Sequence, residues 1–235
     1  QCISCRQAIM TIRRITLSPR LAATASLVVG GGNIADIGTD HAYLPAHLIL
    51  SNKIPSAIAA DIRRSPLENA RDTSIRYKIE NKLDMRLSDG LKEIKPEEVD
   101  EIVFAGMGGT LIAEKLRECP WAKDGKHNLN FQPQSRANDL REFLFSNGFT
   151  INKELAVCEG SRYYIALDAN YTGEIKEFTL SDCFIGKLPR TLEAKAYLKK
   201  QLDRYESRYN ALKRKGENVD ELEILINDLK GFVYG

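Results

Sequence analysis

The chain has 235 residues, of which 43% are hydrophobic and 28% charged, enough for one α/β domain of about 100 to 200 residues plus a small accessory element. No apolar run approaches the roughly 20 residues that cross a bilayer, which excludes a helical membrane protein. Five cysteines in no zinc-binding arrangement point to a reduced, cytoplasmic protein without a metal, and a net charge of +2 excludes no partner by itself.

Residues 1–16 read as a basic N-terminal extension. Cys2 and Cys5 are spaced as C-x-x-C but lack the second pair of a zinc site. The segment has no signal-peptide apolar core, and Met10 is a candidate initiator with residues 1–9 appended. Residues 1–35 hold four arginines and no acid.

Residues 17–186 read as the catalytic domain. Short β-type runs at 34–37, 57–60, 84–87, 101–105 and 129–131 alternate with helical patterns at 44–50, 66–78 and 110–116, the signature of a parallel sheet wrapped by crossover helices. A further helix at 140–146 stops at Asn147-Gly148. Two β-rich runs follow, 150–157 and 163–169, joined by the hairpin-length loop 158–162. A parallel sheet ending in an antiparallel hairpin differs from the nicotinamide-binding Rossmann sheet and resembles the seven-stranded, Rossmann-like methyltransferase fold.

Residues 187–235 follow another rule. Leu198, Leu202, Tyr205, Tyr209 and Leu212 are spaced as an a/d seam, and Leu222, Leu225, Leu229 and Phe232 repeat it. The turn signal at 215–218 between them predicts a coiled-coil-like antiparallel helical hairpin. Residues 187–215 carry ten basic and three acidic side chains. Lys199 and Arg204 stand among those off the seam, as candidate phosphate contacts for structured RNA. A solvated face or a dimer contact is the alternative.

The chemistry concentrates at strand ends. After the first strand, Gly38 permits positive φ and close approach of a ligand, and the next helical turn offers free amides. The usual pyrophosphate signature is G-x-G-x-x-G, yet here the second glycine position is Asp40. A carboxylate repels pyrophosphate and suits a ligand with an ammonium and a sulfonium, which favours S-adenosylmethionine over NAD. Asp40 as a mere helix cap is the alternative.

Asp61 closes the second strand, where both fold families place an acid for ribose hydroxyls. Asp89-Gly90 follows the third, as an adenine contact or a plain turn. The fourth runs into Ala105-Gly106-Met107-Gly108-Gly109, where Gly108 and Gly109 leave room for a flat base and Met107 packs beside the cofactor. At the fifth, Phe131 is a candidate for stacking on that base and Gln132 for reading its edge. The Asn/Asp-Pro-Pro-Tyr/Phe sequence of exocyclic-amino methylases is absent, which disfavours N6 as target.

Together D-I-G-T-D-H-A-Y-L-P from Asp36, Ala60-Asp61, Ser88-Asp89-Gly90-Leu91, Ala105 to Gly109 and Gln132-Pro133 resemble the TrmK family, the tRNA (adenine(22)-N1)-methyltransferases. The resemblance runs from about Leu17 through the C-terminal helices. It implies that Asp36, Gly38, Asp61, Asp89, Gly90 and Met107 line an S-adenosylmethionine site, that Asp40 matters for chemistry, and that the partner is tRNA, with no obligatory protein partner. Family members often carry Gln-Pro-Asn where Gln132-Pro133-Gln134 stands. Three rival readings are an enzyme for another RNA adenine, a non-catalytic RNA-binding protein with a vestigial pocket, and a nicotinamide-dependent oxidoreductase.

Overall fold

The computed structural model describes residues 15–175 and 177–235; Cys2, Cys5 and Met10 lie outside the described residues. Helix α1 (Pro19–Leu27) leads into β1 (Ile34–Ile37), α2 (Tyr43–Leu50), β2 (Ala57–Asp61), α3 (Arg64–Tyr77), β3 (Leu83–Leu87) and β4 (Glu101–Ala105). Then come α4 (Gly109–Arg117), β5 (Asn128–Gln132), α5 (Ala137–Ser146), β6 (Phe149–Glu159), β7 (Arg162–Tyr171), α6 (Leu180–Ile185), α7 (Leu192–Arg214) and α8 (Asp220–Tyr234).

The seven strands form one sheet in the order β3-β2-β1-β4-β5-β7-β6. The first five strands run parallel, and β7 lies antiparallel between β5 and β6. The central strand β1 is buried along its whole length, because a parallel strand is covered on both faces. Its period of two sends Ile34 to one core, with Leu44, Leu48 and Val103, and Ala35 and Ile37 to the other, with Phe104, Ile112 and Phe131.

Helices α1 and α6 are additions to the elements read from sequence. Both have legible starts: Pro19 opens α1 behind Ser18, and Thr179 and Asp182 form a capping box on α6. The joint between β6 and β7 is tighter than the five-residue loop read there. Glu159 pairs with Arg162, so only Gly160 and Ser161 make the turn, with Gly160 at φ +61°. The ladder extends until a two-residue turn closes it.

The helical seam packs as its spacing requires, with Leu198, Leu202, Leu225, Leu229 and Phe232 buried. They join the same apolar cluster as the sheet residues Leu129 and Ile165. One ion pair fixes this half of the molecule. Arg141 of α5 and Glu154 of β6 are both fully buried, with Nε 2.8 Å from Oε1. Arg141 Nη1 also donates to the carbonyls of Cys183 and Phe184 at the end of α6, at 2.9 and 3.0 Å. Glu154 Oε2 accepts the Lys187 N–H at 3.0 Å. Removing one member of such a pair leaves an uncompensated buried charge. Arg141→Ala should therefore destabilise the fold by about 3–5 kcal/mol, seen as a lower midpoint in urea unfolding.

Candidate active site

The parallel strands end on a cleft of about 750 Å³ lined by Asp36, Gly38, Asp40, His41, Arg63, Gly106, Gln134, Glu159 and the start of α1, including Arg20. Such an edge is where open α/β sheets bind ligands. Asp36 lies near the end of β1 with its carboxyl buried. Burial pushes its pKa up from 3.8 to about 6, against a Thr39 hydrogen bond that favours the ionised form.

The turn after β1 is hooked to the neighbouring strand, since Gly38 and Thr39 both donate to the Ala60 carbonyl, at 2.8 and 3.0 Å. Gly38 sits at φ +76°, and a Cβ there would lie 2.8 Å from Met107 Sδ. The loop after β1 and the loop after β4 therefore meet at a position whose left-handed backbone and close Met107 side chain favour glycine. Asp40 does not cap α2. The N-cap is Ala42, itself left-handed, and its N–H is taken by Thr39 Oγ1 at 3.2 Å. Asp40 instead projects into solvent, 72% exposed, with Oδ2 3.5 Å from His41 Nε2. The His41 ring stacks on Tyr43, centroids 5.1 Å apart.

Asp61 ends β2 buried, and its Oδ1 accepts the Arg63 N–H at 2.8 Å. Asp89 lies apart from these residues, in a smaller depression of about 270 Å³ beside Lys92, Lys115 and Trp121. Its two oxygens meet Lys115 at 2.7 Å and Lys92 at 2.6 Å. Hydrogen bonds from Lys115 first and Lys92 second hold the carboxyl below the usual carboxylate range. Gly90, at φ +66°, lies under the stem of Lys115.

The expected base-contacting residues are corrected in part. Phe131 has no exposed surface and stacks on Phe104, centroids 5.9 Å apart, so core packing removes it from the cleft. Gln132 is equally buried. Its Oε1 accepts from Arg20 Nη1 at 3.0 Å and its Nε2 donates to the Pro133 carbonyl at 3.2 Å. Both ends of that amide are engaged, and Gln134 faces the cleft in its stead. Gly109 is buried, and a Cβ on it would overlap the Arg136 carbonyl oxygen, so its small size serves the backbone packing of two loops. Gly108 is the N-cap of α4, and Gly106 is the loop's glycine on the cleft. Lys199 pairs with Asp203 along α7, and Arg204 lies over Tyr205; neither lines the cleft.

Two residues were missed in the sequence. Arg20, in the first turn of α1, and Glu159, the last residue of β6, meet across the cleft with Arg20 Nε 3.4 Å from Glu159 Oε1. The Arg20 backbone N–H also donates to Glu159 Oε2 at 3.1 Å. Burial opposes ionisation of Glu159, but the Arg20 contacts outweigh it and hold its carboxyl below the usual range. The signals that would have found them are Ser18-Pro19 as a helix start and Gly160 as a tight turn.

A family model described as "Methyltransferase domain" matches residues 17–167. The Bacillus subtilis tRNA (adenine(22)-N(1))-methyltransferase is 35% identical over 169 residues, covering 69% of this chain and 71% of that protein. The chain belongs to the TrmK family. The crystal structure of the B. subtilis M1A22 tRNA methyltransferase TrmK is 27% identical with a TM-score of 0.79, over 94% of this chain and 100% of that one. Streptococcus pneumoniae Sp1610, solved in complex with S-adenosyl-L-methionine, is 30% identical with a TM-score of 0.79, over 93% and 100% of the two chains. This TrmK-family chain thus carries its Gly38–Met107 contact within the matched methyltransferase domain. Gly38→Ala should cost about 1–3 kcal/mol in left-handed strain before any displacement of Met107, measurable by urea unfolding.

Proposed function

We propose that this chain methylates N1 of adenosine 22 in tRNA with S-adenosylmethionine as donor. The observation that carries the reading is the cleft itself: within a methyltransferase domain, a buried carboxyl stands at the end of β1 and a glycine-rich loop at the end of β4. The residues fit the cofactor. Asp36 is a buried carboxyl on the cleft, suited to a ligand that carries an ammonium and a sulfonium; Asp61, buried at the end of β2, would take its ribose hydroxyls, and side-chain-free Gly38 allows close approach. Asp89 and Gly90, from the neighbouring depression, serve the cofactor's adenine end, and Met107 backs its methyl-bearing side.

When bound, the cofactor supplies an electrophilic methyl group. Adenine N1 attacks with its own lone pair, so the chain need not provide a nucleophile. Positioning does most of the work, and alignment of two reactants removes roughly 7 to 11 kcal/mol of barrier. The purine gains positive charge as N1 is alkylated, and Asp40, exposed on the cleft beside His41, stabilises that charge. The basic face of α7 grips the tRNA phosphates, with Lys199 and Arg204 among the contacts. No helix among the described residues is long and apolar enough to cross a membrane, and action in the cytoplasm follows from the substrate.

A radiolabelled methyl-transfer assay on unmodified tRNA, with nucleoside analysis, tests the reading: N1-methyladenosine forms with adenosine at position 22 and vanishes when that base is replaced. Asp40→Asn should lower turnover by about 10²-fold or more while cofactor affinity survives; near-normal turnover removes Asp40 from the mechanism.

A second expectation concerns pH. An acid whose pKa is raised on folding, from 3.8 to about 6 for Asp36, binds its proton more tightly in the folded state. The unliganded protein therefore gains stability as pH falls through about 6 toward 3.8. Affinity for a cation runs the other way and rises as pH climbs through about 6, where Asp36 ionises. Calorimetric titration between pH 5 and 7.5 should show this rise in the wild type and a flattened profile in Asp36→Asn.

A further inference from the structure

With Phe131 stacked inside the core, no aromatic ring among the described residues at the ends of β4 and β5 lines the cleft; its rings, His41 and Tyr43, follow β1 and stack on each other. The structure offers another flat group there. Arg20 lines the cleft, and its Nη1 lies within 3.7 Å of where a Gly106 Cβ would stand. One terminal nitrogen of the guanidinium therefore stands beside Gly106, the glycine of the β4 loop that lines the cleft. It is also held firmly. Nη1 donates to the fully buried Gln132 at 3.0 Å, and Nε stands 3.4 Å from Glu159. The N–H groups of a guanidinium lie in its plane, so these two contacts engage its edge and neither of them uses a face.

Glu159 is itself fixed from both sides. Arg20 holds its carboxylate, and Lys200 of α7 holds the adjoining turn, donating to the Ser161 carbonyl at 2.9 Å with its ammonium 5.0 Å from the Tyr163 ring. Glu159 also balances the charge of Arg20. A lone cation beside a purine that becomes positive on N1 alkylation would oppose the reaction, whereas a neutralised one does not.

We propose that Arg20, clamped by Gln132 and Glu159, is the stacking platform for the target adenine. The inference rests on the tRNA adenine-N1 activity proposed above. Flipped bases are read by stacking on aromatic rings or on arginine planes, and a lysine carries the charge without the plane. A phosphate contact would call for an unpaired cation; Arg20 is paired.

The test compares wild type, Arg20→Lys and Arg20→Ala on a tRNA that the wild type methylates. Three quantities are read: kcat/KM, affinity for S-adenosylhomocysteine, and the salt dependence of tRNA affinity. Both variants should lose about tenfold to a hundredfold in kcat/KM, with no rescue by lysine, an unchanged affinity for S-adenosylhomocysteine and an unchanged salt slope. Near-wild-type activity of Arg20→Lys overturns the proposal in favour of a point charge. A salt slope lowered by about one overturns it in favour of a phosphate contact. Loss of S-adenosylhomocysteine affinity in both variants overturns it by making Arg20 part of the scaffold. A wild type that binds S-adenosylhomocysteine yet methylates no tRNA overturns the underlying activity instead.

Discussion

The site depends on the absence of one side chain. Two loops leave the sheet from neighbouring parallel strands, β1 and β4, and they close on each other where Gly38 presents no side chain between its backbone and Met107. The turn's amides are committed to the end of β2, so it cannot retreat to make space. The same geometry bends the chain away from the sheet directly after buried Asp36 and leaves Asp40 on the cleft side. Carboxyls of opposite character, one buried and one exposed, thus stand four residues apart on either side of one glycine.

A second constraint acts at the other end of the sheet. Arg141 and Glu154 bind the end of α6 and the chain leading to α7 to the outer strands. The apolar cluster that fills the sheet's face continues through Leu198 and Leu202 into Leu225 and Leu229. The basic surface of α7 is therefore built on the same core as the cleft.

Much of the frame was legible because it is periodic. The runs at 34–37 and 101–105 coincide with β1 and β4, since a central parallel strand is covered on both faces and so is mostly apolar, with Gly and Asp marking its borders. The seam from Leu198 to Phe232 was legible for the same reason. The cleft was less so, because direction is not periodic. Phe131 and Gln132 have composition suited to a base contact, yet their alternation along β5 and the demands of packing put both inside. For Arg20 the sequence offered only a helix start at Ser18-Pro19 and nothing of its partners, Gln132 and Glu159, which lie more than a hundred residues away. Such a contact exists only once the strand order is known.

The anchoring of α7 to the β6–β7 turn through Lys200 has a consequence for scale. An α-helix of 23 residues is a rod of roughly 34 Å at 1.5 Å per residue. It is pinned through Lys200, its ninth residue, to the turn next to Glu159, so the longer part of the rod runs on from a fixed point tied to the cleft. On the proposed tRNA activity, a polyanion lying along it would be measured by distance and curvature, not by sequence, and the nucleotide brought to the cleft would be set by how far it stands from phosphates held farther along the helix.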